Sequence, residues 1–463
     1  MQYVSTRGEA PALGFEDVLL TGLARDGGLY VPKAWPQMSA DELRGLRGRP
    51  YAEVAYHVVS KFTAGAIPEA ELKQMITGAY STFGHPAVVP LKQLDANQWL
   101  LELFHGPTLA FKDVAMQLLA RLMDWSLARR NSRATIIGAT SGDTGGAAID
   151  AFKNSKYATT VILHPHGRVS EVQRRQMTTV ASPAVHNIAI EGNFDDCQAI
   201  VKALFNDAGF RDRVGLAGVN SINWARIMAQ IVYYVSAAVS LGSPDRKVSF
   251  CVPTGNFGDI FAGYAAKRMG VPIDRLIVAT NVNDILDRAL RTGRYEMKGV
   301  HASSSPSMDI QISSNFERLL YLAYGRDAAA IRGLMSGLSQ SGAFTIGPKE
   351  LAAIRAEFDS FAVNEAETAG TIAQTLKATG ELLDPHSAVG FAAALRAKPG
   401  DSAMVTLATA HPAKFPDAVE KACGLRPHLP QRLSHLLNAE ERFTILPNSA
   451  TAVRDFVLAL NKA

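Results

Sequence analysis

Cysteine is scarce. Cys197, Cys251 and Cys423 are the three in 463 residues. They are odd in number and far apart, which excludes a disulfide framework or a CxxC zinc site. No apolar run approaches the roughly 20 residues that span a bilayer. Residues 1–15, MQYVSTRGEAPALGF, hold no basic start followed by an apolar stretch, so no export signal is expected. Charge of one sign is missing too. Lys and Arg number 47 against 43 Asp and Glu, a formal net charge of +4, which gives no reason to expect nucleic acid. Fixed-period repeats, low-complexity tracts and long charge runs are absent. What is there is a globular composition, 47% hydrophobic and 19% charged, long enough for two or three domains with a large core. A soluble protein of a reducing compartment, the cytoplasm, is the expectation.

Residues 1–95 read as mostly helical. Asp41 in SADELRGL is expected to open one helix, and YAEVAYHVVSKFTAG forms another. His85-Pro86 and Val89-Pro90 then break the pattern. From about residue 96 short β-rich runs alternate with helical ones. WLLELF, ATIIGA, ATTVIL, KVSFCV, LIVAT and AMVTLAT are expected strands. VAMQLLARLMDWSLARR, GGAAIDAFK and DIFAGYAAKRMG are expected helices. The alternation argues for an α/β fold of parallel sheets flanked by helices. The expected division is an N-terminal helical domain over 1–95, an α/β domain over 96–215, and a larger α/β domain over 216–463. In such folds ligands bind at the carboxyl ends of strands.

Two strand-to-helix loops draw attention there. Thr140-Ser141-Gly142-Asp143-Thr144-Gly145-Gly146 follows ATIIGA, and Pro253-Thr254-Gly255-Asn256-Phe257-Gly258 follows KVSFCV. Glycine lets backbone N–H groups approach a ligand, and a helix start offers unpaired donors and partial positive charge. Each loop is either an anion site or a tight turn with an ordinary cap; two in one chain favour two anionic groups. Neither carries a dinucleotide or P-loop fingerprint. Lys112 lies among apolar Leu109, Ala110, Phe111, Val114 and Ala115. Desolvation there would depress its pKa and leave an amine able to hold a Schiff base. Taken alone, a surface lysine opening a helix, with Asp113 as a first-turn acid, is the commoner case. Thr409 in ATAHPAKF is, on spacing alone, the end of a strand. His164 and His166 are read as solvated loop histidines with no third metal ligand nearby, Ser303–Pro306 as a loop, and Arg174-Arg175 as a solvated helix face.

Together the segments HGPTLAFKD, ATSGDTGGAA, PTGNFGD and ATAHPAKF resemble the blocks of the threonine synthase family. So do YVSTRG at residues 3–8, NSINWAR at 220–226, SSNFER at 313–318 and DPHSAVG at 384–390. The blocks run in family order from residue 3 to 415 and are similar to the bacterial and fungal subclass. Residues after about 425 match no block. The resemblance implies a fold-type-II pyridoxal-phosphate enzyme of tryptophan-synthase-β-like fold.

It also implies roles. Lys112 would form the Schiff base with pyridoxal 5'-phosphate, and Asp113 would belong to the cofactor site. Gly255, Asn256, Phe257, Gly258 and Asp259 would cradle the cofactor phosphate, with the Asp259 carboxylate turned away from it. Thr409 would bond the pyridine nitrogen. Ser141, Gly142, Asp143 and Thr144 would grip the substrate carboxylate. An ionised Asp143 only accepts hydrogen bonds, so a neighbour or the cofactor hydroxyl is its expected partner. Arg318 and Lys414, with Ser314 and Asn315, are the candidates for the substrate phosphate, each with a structural ion pair as the alternative. The implied reaction converts O-phospho-L-homoserine and water to L-threonine and phosphate, a carbon–oxygen lyase of threonine biosynthesis. The implied partner is that small molecule alone, with no nucleic acid or membrane, and the chain a monomer or small homo-oligomer. A dehydratase, a phospho-lyase, or a catalytically dead binding protein would be the competing identities.

Overall fold

The computed structural model describes residues 1–397 and 400–461. Two sheets dominate. One has five strands in the order Thr444–Pro447, Val185–Glu191, Ala158–Pro165, Ala134–Ala139 and Leu216–Ala217, all parallel. The other has six, in the order Phe358–Ala362, Ile273–Thr280, Val248–Pro253, Ala403–Ala408, Gln98–Glu102 and Leu91–Asp95. All its neighbours are parallel except the hairpin of the last two. Val248–Pro253 is buried at every position, as expected of a strand covered on both faces.

Three adjacent strands of the six-stranded sheet set up the site. The chain runs outward from Val248–Pro253 through Ile273–Thr280 to Phe358–Ala362, then returns to place Ala403–Ala408 on the other side. The strand order therefore reverses between Val248–Pro253 and Ala403–Ala408, the place where open α/β sheets form a crevice. Gln98–Glu102 lies next to it. The carboxyl ends of these three strands lead to Gly255, to Thr409 and to Lys112. The helix Trp224–Ser240 packs against the helices Tyr51–Thr63, Lys112–Arg129 and Gly258–Arg268. It is buried almost all round.

Several expectations change. Ser39, not Asp41, caps the helix Ala40–Gly45; its hydroxyl and the Glu42 carboxylate exchange hydrogen bonds with each other's backbone N–H. The N-terminal region has four helices but also an antiparallel ribbon, Tyr3–Ser5 with Tyr30–Pro32. Contiguous boundaries at 95 and 215 are crossed twice. Gln98–Glu102 pairs into the sheet built mostly from later residues, and Thr444–Pro447 returns to edge the five-stranded sheet. Parallel pairing needs long crossovers, so a chain can leave a sheet and rejoin it far along the sequence. His164 is not in a solvated loop. It lies in Ala158–Pro165, 2% exposed, and burial pushes its pKa down to about 4. Arg174 is half-buried and forms an ion pair with Glu441 at 2.8 Å. No helix among the described residues is long and apolar enough to cross a membrane.

Candidate active site

Lys112 is the first residue of its helix. The loop before it is stitched to the end of the neighbouring strand. Phe111 N–H donates to Thr409 O (2.8 Å), His411 N–H to Leu109 O (3.0 Å) and Leu103 N–H to Ala408 O (2.9 Å). Leu109 takes φ +61, a conformation that costs a non-glycine residue and persists only where surroundings enforce it. Asp113 secures the loop from inside. Its carboxylate accepts from Thr108 N–H (2.7 Å) and Thr108 Oγ1 (2.6 Å). Burial raises Asp113 to about 6 against those bonds. Asp113 thus braces the loop that carries Lys112, rather than facing the amine.

Lys112 is buried, 8% exposed. Its amine lies 3.3 Å from Asp143 Oδ2 and 3.5 Å from Ser307 Oγ. Burial lowers its pKa; Asp143 opposes that, while Lys414 and Arg226 reinforce it. Asp143 opens the helix Asp143–Phe152 in the other sheet's wall. Burial alone would raise its pKa, but Lys414 and Lys112 overrule it and hold it well below the usual range. Its Oδ1 accepts from Lys414 Nζ (2.9 Å) and Gln173 Nε2 (2.9 Å), its Oδ2 from Ser307 Oγ (3.3 Å). The partners Asp143 meets within the chain are thus two lysines, a glutamine and a serine. Lys414 is fully buried, and Thr108 O (2.6 Å) and Gln176 Oε1 (3.0 Å) take its other two protons. An ammonium with three acceptors has none to spare for a substrate phosphate.

The two glycine loops differ in what they leave open. In Thr140–Gly146 the Thr140 hydroxyl accepts the N–H groups of Gly142 and Gly145, both at 2.9 Å. Ser141 is exposed and Thr144 half-buried. In Gly255–Gly258 the carbonyls are held from behind: Ser313 Oγ donates to Gly255 O (2.7 Å), and Asn315 N–H and Nδ2 donate to Asn256 O (3.1 and 3.0 Å). Phe257, at φ +61, caps the next helix. Among the described residues no backbone acceptor meets the N–H groups of Gly255, Asn256, Phe257 or Gly258. Such a row of open donors at a helix start suits a phosphate. The Asp259 carboxylate turns into the core, as expected, and accepts from Tyr233 and Tyr234. Burial raises it to about 6.

Of the candidates for the substrate phosphate, Lys414 shares the Asp143 carboxylate with Lys112 but has its protons engaged; the other three stand elsewhere. Asn315 backs the glycine loop, and Ser314 is half-buried beside it. Arg318 is fully buried, donating to Tyr30 O (3.0 Å), Ile222 O (2.6 Å) and Asn315 Oδ1. Its guanidinium is committed to tying three segments together, and burial lowers its pKa to about 9. Four residues that carry no assignment from the sequence stand closer to the chemistry: Ser307, Gln173, His386 and Arg226. His386 and Arg226 lie in the DPHSAVG and NSINWAR blocks, which were the signal available. Arg226 is 2% exposed and sits in the first turn of Trp224–Ser240. It donates to Val219 O at 3.1 Å, its Nε has no partner, and it makes no ion pair among the described residues. Burial lowers it to about 10. A buried cation without an acid is costly unless an anion joins it. A cavity of about 730 Å³ between Arg121, Trp125 and Arg432 reaches Thr108 and Gln176 but not Lys112, so it lies outside the reaction site.

A buried amine, a loop of open N–H donors and the strand end that bears Thr409 meet here, and comparison with known proteins agrees. The family described as "Threonine synthase N terminus" matches residues 2–80, "Pyridoxal-phosphate dependent enzyme" residues 84–409, and "Threonine synthase, C-terminal" residues 387–457. The last of these covers most of the stretch after 425 that matched no motif block. The threonine synthase of Pseudomonas aeruginosa is 55% identical over 459 residues, covering 99% of this chain and 98% of that one. The crystal structure of PLP-bound threonine synthase from Brucella melitensis superposes with a TM-score of 0.98 at 62% identity, covering all of both chains. The yeast threonine synthase structure gives 0.95 at 39% identity, over 100% of this chain and 99% of that one. The chain belongs to the threonine synthase family of fold-type-II, pyridoxal-phosphate-dependent enzymes.

Proposed function

We propose a division of labour by which this chain converts O-phospho-L-homoserine and water to L-threonine and phosphate. The observation that carries it is the buried Lys112 amine, held between Asp143 and Ser307 beside the strand end that bears Thr409. These residues fit pyridoxal phosphate. Lys112 would hold its aldehyde, the open N–H groups of Gly255–Gly258 its phosphate, and Thr409 its ring nitrogen. When bound, the cofactor supplies an electrophile for the amino group and an electron sink for charge at the substrate α-carbon.

This chain's residues supply the rest. The amine of Lys112, freed once substrate has taken its place, removes the α-proton and then a β-proton; after phosphate leaves, a proton is returned to Cγ, and another to Cα once water has added its hydroxyl at Cβ. A depressed pKa suits that task, since it favours the unprotonated base. Asp143 stays ionised between two lysines, keeping Lys112 oriented. The N–H groups of Ser141, Asp143 and Thr144 bind the substrate carboxylate, the Gly142 N–H being held by the Thr140 hydroxyl. Arg226 receives the substrate phosphate as it leaves Cγ, while water adds at Cβ. Arg226 takes the place that Arg318 and Lys414 were expected to fill. We also read the chain as a cytoplasmic enzyme, monomeric or a small homo-oligomer, that needs neither nucleic acid nor membrane; its kinship with biosynthetic enzymes supports the first.

The test is hydride trapping. Borohydride reduction of the holoenzyme should fix the cofactor label on the peptide containing Lys112, and Lys112→Ala should lower threonine formation by more than about 10³-fold. A label on another peptide, or near-normal turnover of the variant, would overturn the assignment.

A further inference from the structure

Asp384 sits at the N-terminus of the helix Pro385–Arg396, fully buried. It caps the helix in the ordinary way, accepting the N–H groups of His386 and Ser387, both at 3.0 Å. An asparagine or serine could do that much. Two further bonds engage side chains of the same first turn. Oδ2 accepts from His386 Nδ1 at 2.7 Å, and Oδ1 accepts from the Ser387 hydroxyl.

Each bond fixes what lies beyond it. With its proton on Nδ1, His386 presents a bare Nε2, which accepts Ser307 N–H at 3.2 Å. The Ser307 hydroxyl reaches Asp143 and Lys112, and its carbonyl lies 2.8 Å from where a Cβ on Gly255 would stand. With its proton given to Asp384, Ser387 presents an oxygen that accepts Thr409 N–H at 3.1 Å. One carboxylate therefore holds two walls of the site. One arm runs through His386 to Ser307, the other through Ser387 to Thr409.

We infer that Asp384 is a positioning residue that sets Thr409 and the Ser307–Lys112 cluster at a fixed separation, with His386 acting as a neutral acceptor and not as an acid or base. The inference rests on the reading that Lys112 and Thr409 flank the cofactor. An amide at position 384 cannot serve both arms. Turned one way, its NH₂ meets His386 Nδ1 and forces the other tautomer, which sets two N–H groups face to face at Ser307. Turned the other way, it confronts the Ser387 N–H and hydroxyl.

The experiment compares holoenzyme variants in cofactor affinity by spectral titration, in kcat and KM, and in the ratio of threonine to keto-acid product. Asp384→Asn is expected to bind the cofactor about tenfold more weakly, to lose about 100-fold in kcat with little change in KM, and to shift the product ratio. His386→Gln, whose amide oxygen can replace Nε2 as acceptor, should stay within about fivefold of the parent, while His386→Ala should fall with Asp384→Asn. If Asp384→Asn does not fold, the His386 pair carries the decision, because its side chain lies off the cap. An unchanged cofactor affinity, kcat and product ratio in Asp384→Asn overturns the inference, as does a His386→Gln no better than His386→Ala. Hydride trapping separates the two failures: a parent enzyme unlabelled at Lys112 sinks the underlying reading, whereas labelling there with silent variants sinks only this one.

Discussion

The loops Thr140–Gly146 and Pro253–Gly258 share one local grammar. Each leaves a parallel strand, spends glycines and hydroxyls on a turn, and puts an aspartate in the first turn of the helix that follows. In three dimensions they are near opposites. Asp143 faces the cleft, lies between two lysines, and is held well below the usual carboxylate range by them against its burial. Asp259 faces the core, lies against two tyrosines, and is raised to about 6 by burial. One loop contributes a fixed negative charge; the other hides its acid and offers neutral N–H donors. A first-turn aspartate is thus a site residue or a core residue according to what the far side of the chain brings to it.

That contrast can be broken experimentally. The largest effect is expected from Asp143→Asn, which strands two buried lysines; turnover should fall about 100-fold, and the variant should also lose stability, since breaking a buried charge cluster costs about 3–5 kcal/mol. Asp259→Asn, the same chemical change in the other loop, should keep turnover within a few-fold. Equal losses in steady-state assays of both would erase the distinction. Next comes Arg226→Gln, which removes the charge proposed to receive the substrate phosphate. KM should rise about 10- to 100-fold with kcat less affected, the worth of one charge-assisted hydrogen bond; an unchanged KM would return the phosphate to other residues. Gly255→Ala should be smaller. Its methyl would stand 2.8 Å from Ser307 O and 3.3 Å from Met308 Cα, backbone atoms that cannot swing aside, so cofactor affinity measured by titration should drop about tenfold.

The smallest effect sharpens the comparison through pH. Asp259 binds its proton more tightly folded than unfolded, because its folded value of about 6 lies above the ordinary 3.8. Its contribution to stability is therefore greatest below pH 4 and declines as pH rises to 6. Asp143 has the reverse sign. Its folded value is depressed, so its contribution is present above pH 4 and is lost as pH falls further. The Tm difference between parent and Asp259→Asn should move in the parent's disfavour from pH 4 to 6, and the corresponding difference for Asp143→Asn should narrow only in more acid solution. Parallel slopes in thermal melts would contradict the opposed environments.

Much of the fold is legible along the chain. ATIIGA is the strand Ala134–Ala139 residue for residue, and KVSFCV and AMVTLAT are strands within a residue or so. Their signals are local: a β-rich run, glycine, then a helical spacing. The helix Trp224–Ser240 is less legible in its setting than in its spacing: Arg226 and Gln230 stand four residues apart as on a solvated face, yet both are buried. The strand Thr444–Pro447 escapes because three of its four residues are exposed and only its pairing partner, some 250 residues earlier, makes it a strand.

The site divides along the same line. The position of the reactive amine and of both glycine loops follows from residues adjacent in the chain, where backbone freedom and helix starts are written in a few letters. Which polar groups are spent and which remain open follows from partners far apart. Asp143 meets Lys112 across 31 residues, Ser307 meets it across 195, and Arg318 reaches Tyr30 across 288. Arginine, lysine and aspartate have the same chemistry at every position; whether each is a tie, a brace or a receptor depends on how many of its hydrogen bonds the folded chain has already satisfied.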